Sequence, residues 1–183
     1  DVRPVQSAKD LRTFIKLPWK IYKGDPYWVP PLIVDQKKML NKEKGTFFQF
    51  GEAELFIAYD GKEPVGRISA HVDHHYEKFG DERTGRFGFF ESINDQSVAD
   101  ALLDCAQKWV AAKGKKRMEG PYSFTLYDPS GFLYEGFDSM PVVMLSYNPQ
   151  YYNQLLLGAG YEKSIDWYAF LVNNSIEMRP SFK

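Results

Sequence analysis

Cysteine is nearly absent from this sequence of 183 residues. The lone Cys105 excludes an intrachain disulfide framework and agrees with a reducing compartment, so the cytoplasm is the expected location. No apolar run approaches the roughly 18 residues that span a bilayer, and the opening DVRPVQSAKD lacks the apolar centre of a secretory leader. Neither sign of charge is in excess: 23 Lys and Arg stand against 24 Asp and Glu, for a net charge of −1, which leaves no surplus for a phosphate-tracking surface. Neither a nucleic acid nor a membrane is expected as a partner. Internal repeats and low-complexity tracts are missing too.

What the chain does have is aromatic and apolar residues. With 14 Phe, 12 Tyr and 4 Trp, and 44% of residues apolar, it can bury a sizeable core. The length predicts a single domain over residues 1–172, with 173–183 as a tail or linker. Because the chain starts at Asp1 and not at Met, it is expected to be a trimmed or excised piece. A further domain or a homodimer is among the expected partners.

Residues 2–5 read as a short strand. Ser7 followed by Asp10 is a capping arrangement for a helix through about Lys16, which Pro18 should end or kink. DPYWVPPL should be extended, with a short helix over 33–41 beyond it. From Glu54 the pattern alternates: ELFIAYD, VGRISAHVD and RFGFFESI, joined by polar breaks, predict an antiparallel meander. Helical spacing follows, with Val98, Leu102, Cys105 and Trp109 on one stripe and a helix predicted over 95–113. Strands are predicted at 117–120, at PVVMLSY and at 165–172, and a helix over 149–157 with Asn148 as its cap.

This order resembles the acyl-CoA N-acyltransferase fold of the GNAT superfamily. FIKLPWKIYKGDPYWVPPL, VGRISAHVD followed by GFFES, and NPQYYNQLLLGAGYEK are together similar to a bacterial GNAT-like family of mostly uncharacterised proteins. The resemblance implies an α/β (α+β) fold: a mixed, mostly antiparallel central sheet flanked by helices, with a splayed parallel strand pair after GFFES. It further implies transfer of an acyl group from acetyl-CoA or another acyl-CoA to an amine, on a small molecule or a peptide, by direct attack on the thioester. The pantetheine arm would pair with the strand edge near Phe89, Phe90 and Ile93, and the pyrophosphate would sit over Asn94 and Ser97. The sequence departs from the superfamily in two places. The glycine-rich phosphate loop Q/R-x-x-G-x-G/A is replaced by NDQSVAD, which has no glycine and brings Asp95 and Asp100 to the helix start. The superfamily's acidic tyrosine falls on Leu156, and Tyr152 lies one turn earlier on the same face.

Two roles stay open for each candidate. Glu91 is either the base that deprotonates the amine, its pKa raised by aromatic neighbours, or a strand-end carboxylate. Tyr152 is either an acid for the departing thiolate or an aromatic packed on the sheet. In HVDHH, a strand puts His71, Asp73 and His75 on one face but separates the two histidines by about 13 Å, too far for one ion. A helix would bring them together, and a pH-sensitive or substrate-facing cluster is the other reading; no metal site is expected. The loop GPYSFTLYDPSGFLYEGFD, rich in aromatics, is either a lid or a pinned surface segment, and Cys105 is core. The rival to an acyltransferase is a non-catalytic binding or scaffolding domain with the same fold.

Overall fold

Ser7 starts the first helix by reciprocal capping: its hydroxyl accepts from the Asp10 N–H at 3.1 Å, and the Asp10 carboxylate accepts from the Ser7 N–H at 3.0 Å. The computed structural model describes residues 1–79 and 82–170. In it, β1 (Val2–Pro4) precedes α1 (Ala8–Ile21), and α2 (Ile33–Met39) follows the proline-rich stretch. A short 3₁₀ turn, Thr46–Gln49, leads into β2 (Gly51–Asp60), β3 (Glu63–Asp73), α3 (His74–Phe79) and β4 (Thr84–Ser92). Then come α4 (Gln96–Ala112), β5 (Arg117–Glu119) and α5 (Tyr151–Gly158).

The sheet order is β1-β2-β3-β4-β5, antiparallel except for the parallel β4–β5 pair. This is the mixed, mostly antiparallel sheet with a parallel pair that the resemblance implies. Alternation along β2 divides the core in two. Phe56 and Ala58 join Ile68, Phe87 and Phe90 beneath α4 and α5. Leu55 and Ile57 join Phe14, Phe47, Phe89 and Phe124 on the opposite face, beneath α1. Asp95 caps α4 by accepting from the Ser97 N–H at 2.8 Å, and Gly114 lies just past its end with φ 79°.

The parallel pair is short. β5 matches only Thr84, Gly85 and Arg86 of β4, and the Tyr122 N–H then donates to the Phe87 carbonyl at 2.8 Å. At Gly88 the chain from β5 passes so close that an added Cβ would lie 1.6 Å from the Tyr122 carbonyl oxygen. Gly88→Ala must therefore move backbone, and it is expected to cost about 3 kcal/mol in urea unfolding. An unchanged midpoint would show that the two segments separate easily.

Four expectations are corrected. Pro18 does not end α1, which continues to Ile21. Asn148 does not cap α5: Gln150 holds that position without a side-chain bond, because the Asn148 Oδ1 already accepts from the Leu133 N–H at 2.6 Å. PVVMLSY is not a strand; Met144 has φ 69° and the Leu145 N–H closes a turn on the Val142 carbonyl at 3.1 Å. A strand is defined by its pairing, and this segment pairs with no strand among the described residues. The last predicted strand is likewise not formed over 165–170, while 171 and 172 lie outside the described residues.

Candidate active site

The site begins with a proline. Pro18 has no N–H, so the Phe14 carbonyl one turn back loses its helical partner. The Arg67 guanidinium takes that carbonyl, Nη1 donating at 2.7 Å, and packs 4.9 Å from the centre of the Phe14 ring. Its Nη2 lies 3.4 Å from Glu91 Oε1 on the next strand, while its Nε is buried without a partner.

A bulge in β4 creates this pairing. Arg67 stands opposite Glu91 and Gly66 opposite Ser92, but Ser69 stands opposite Gly88, so β4 carries one extra residue between. Phe89, with φ 49°, marks the bulge. The extra residue reverses the alternation downstream: Phe87 and Phe90 both lie beneath α4, Phe89 lies beneath α1, and Glu91 meets Arg67.

α5 supplies the second partner. Tyr152, completely buried, donates to Glu91 Oε2 at 2.7 Å and accepts from the Ser92 N–H at 2.9 Å. Tyr151 donates to the Ser92 carbonyl at 2.8 Å. Tyr22, at the end of α1, adjoins the same carboxylate, donates to the Tyr147 carbonyl at 3.3 Å and stacks on Trp28 at 4.8 Å. Tyr147 in turn donates to Asp25 Oδ2 at 2.9 Å, so the α1–α2 connection and the 120–150 loop meet beside Glu91.

Burial raises the pKa of Glu91 above the usual carboxylate range, outweighing Arg67 and the two phenols, which pull it down. Burial also pulls Arg67 down, against the Glu91 charge that pushes it up. Tyr152 and Tyr22 lie well above the ordinary phenol value, through burial first and the Glu91 charge second. Tyr151 is pushed up to about 12 by burial and then by Glu91. The Glu91 side chain keeps 12% of its surface open. A carboxyl of raised pKa, fixed on both oxygens yet reachable, can take a proton from a group delivered to it.

Glu91 and Tyr152 are thus brought together. Phe89 and Phe90 diverge to opposite faces, and Leu156 is buried under the sheet. Ile93 is half-buried, while Asn94 and Ser97 are exposed at the start of α4. The Ser97 N–H and hydroxyl both donate to Asp95, at 2.8 and 2.7 Å. The histidines do not assemble. β3 ends at Asp73, whose carboxylate accepts from the N–H groups of His75 and Tyr76 and starts α3, so the continuous strand through His75 is corrected. His71 is buried against Phe47 and Phe124, and burial pulls its pKa down to about 3, which keeps it neutral. His74 lies 2.9 Å from Glu77, and His75 stacks on Phe50. No group of three His, Cys, Asp or Glu able to hold a metal occurs among the described residues.

Sequence reasoning missed Arg67 and Tyr22. Arg67 did leave a signal, since a charge inside VGRISAHV must find an opposite charge on a neighbouring strand, and FFES offers one. Tyr22 left none.

No family model matches the chain. It is 34% identical over 185 residues, covering 100% of its own length, to Protein YghO of Escherichia coli K12. It is 32% identical over 170 residues, 92% of its length, to the bacterial ceramide synthase of Caulobacter vibrioides. The chain spans 47% and 44% of these relatives, about half the length of each. The aminoglycoside N-acetyltransferase AAC(6')-Iy, in complex with a CoA-containing bisubstrate analogue, has a similar structure: TM-score 0.55, 14% identity, 94% of this chain and 97% of that one covered. So does a predicted acetyltransferase with acetyl-CoA from Clostridium acetobutylicum, with TM-score 0.55, 11% identity and coverage of 93% and 95%. At such identities the likeness is one of fold.

Proposed function

From the premise that this chain has the GNAT acyltransferase fold, we propose that it transfers an acyl group from an acyl-CoA thioester to the nitrogen of an amine, with Glu91 as the base. The neutral amine attacks the thioester carbonyl, the N–C bond forms, and Glu91 takes the proton that the nitrogen gives up. The C–S bond then breaks and the thiolate leaves as CoA. The observation that carries this reading is the Glu91 carboxyl, buried at the bulge of β4 with a raised pKa and both oxygens oriented. Tyr152 serves mainly by fixing that carboxylate, since its own raised pKa makes it a weak proton donor. The thioester arm would run along β4 at Phe89, Phe90 and Ile93, with its phosphates toward Asn94 and Ser97.

The Caulobacter relative's name points to the acceptor. A ceramide is the amide of a long-chain amino alcohol, so a long-chain amine and a fatty acyl-CoA are the substrates to set against acetyl-CoA. The test is CoA thiol release from acetyl-CoA and from palmitoyl-CoA, with and without a long-chain amino alcohol. Release that depends on the amine is expected; its absence with every pair would sink the reading.

A second reading, a non-catalytic binding or scaffolding domain, is favoured by the start of α4. There Asp95 occupies the helix end that a pyrophosphate would need, and its pKa is lowered by the Ser97 hydroxyl and N–H groups it accepts from. Tyr151 and Tyr152 also occupy both backbone groups of Ser92. Titrating the chain with either acyl-CoA in a calorimeter separates the two readings, since a scaffold of this kind would release no binding heat. No helix among the described residues is long and apolar enough to cross a membrane.

A further inference from the structure

α2 turns only one side to the protein. Ile33 packs toward the core beneath α1, whereas Leu32 and Val34 are 67% and 68% exposed, and Val29 just before them is 55% exposed. On a helix, Lys37 and Lys38 lie three and four residues beyond Val34, so they share its outward side. Across from them Arg12 and Lys16 project from α1, and with Lys37 they ring a cleft of about 350 Å³ floored by Ile15 and Ile33. Among the described residues, the side chains of Arg12, Lys16, Lys37 and Lys38 have neither an ion pair nor a hydrogen bond. The carboxylates carried by α1 and α2 themselves are Asp10, which is engaged in capping α1, and Asp35.

Exposed aliphatic side chains beside unpaired cations match the boundary of a bilayer, where apolar side chains enter the headgroup region and Lys or Arg meet phosphates. We propose that this region, with Arg12, Lys16, Lys37 and Lys38 as its cations, Val34 on the outward side of α2 and the exposed Val29 and Leu32 just ahead of that helix, docks the protein on an anionic phospholipid surface. Such docking needs no spanning segment, and it departs from the sequence expectation that no membrane is a partner. The charge decides the occupant. The other exposed apolar stretch, residues 126–170, includes Val143 and Trp167, but it carries Asp128, Glu135, Asp138, Glu162 and Asp166 against the single Lys163, which an anionic surface would repel. This inference does not rest on the proposed acyl transfer.

The test is sedimentation with vesicles of phosphatidylcholine alone or mixed with phosphatidylglycerol, at low and at high salt. Binding only to the mixed vesicles, weakened by salt, is expected. Each cation removed should lower partitioning roughly fivefold, so Lys37→Glu with Lys38→Glu should lower it by more than about 25-fold. Leu32→Ser with Val34→Ser should also weaken it, while Val143→Glu, on the acidic stretch, should leave it unchanged. All of these positions are exposed, so circular dichroism should show the native fold in every variant. Equal binding to both vesicle types, no binding at low salt, or indifference to the lysine reversals would overturn the proposal. So would self-association without vesicles that the Leu32 and Val34 changes abolish, because a second copy would then cover this face.

Discussion

Glu91→Gln is expected to lower acyl transfer by about 10²- to 10⁴-fold while leaving acyl-CoA affinity within about twofold, because a base acts on the amine and not on the cofactor. Gln keeps the shape and can still accept from Tyr152, but it cannot take a proton. In the wild type the rate should rise with pH through a limb above the ordinary carboxylate range, since burial raises Glu91. In the variant that limb should vanish, leaving only the titration of the amine substrate. Undiminished turnover would remove Glu91 from the mechanism without touching the fold. A parallel loss of acyl-CoA affinity would instead place Glu91 in binding.

Arg67→Met should be the most destabilising side-chain truncation at the site, costing about 3–5 kcal/mol near neutral pH, because it leaves the Glu91 carboxylate buried without its countercharge. The Phe14 carbonyl, freed by Pro18, loses its donor in the same step. The pH dependence has a definite sign. A carboxyl whose folded pKa lies above its unfolded value contributes stability that is complete below the unfolded value and is lost as pH rises through the folded one. Removing Arg67 raises the folded value further, so the deficit of Arg67→Met should shrink in mild acid and grow toward neutral pH. Adding Glu91→Gln should recover more than half of the loss. Strict additivity in the double variant, measured by urea unfolding, would show that the two groups are not coupled.

Arg67, Glu91 and Tyr152 depend on features that would each be faults in isolation. A proline inside a helix removes a bond, a bulge removes a ladder position, and a buried charge costs solvation. Here the bond lost at Pro18 becomes the acceptor for Arg67, and the bulge at Phe89 turns Glu91 toward that same guanidinium. Gly88 lets the chain after β5 pass close to β4 just before the bulge. Arg67, Glu91 and Tyr152 thereby meet although Arg67 and Tyr152 lie 24 and 61 positions from Glu91 in sequence.

The sequence by itself determined the strands from ELFIAYD to RFGFFESI, the long helix with Asn94 or Asp95 as its cap, and the capping of α1 by Ser7. Each of these rests on periodicity or on a contact within four residues, and such information is complete within a short window. It left Glu91 open between a base buried among aromatics and a strand-end carboxylate, because FGFFES alone does not say which face of the sheet its glutamate takes. Tertiary structure decided what faces Glu91. The bulge at Phe89 shifts the phase of β4 by one residue, and a one-residue shift exchanges the two faces of a strand, so the Arg67 pairing could not be counted off from either segment alone. The same holds for Tyr152, which reaches Glu91 only because α5 packs back onto the sheet after a long loop. PVVMLSY makes the point in reverse: its residues favour a strand, yet a strand is a pairing and not a property of seven residues, and no edge among the described residues receives it.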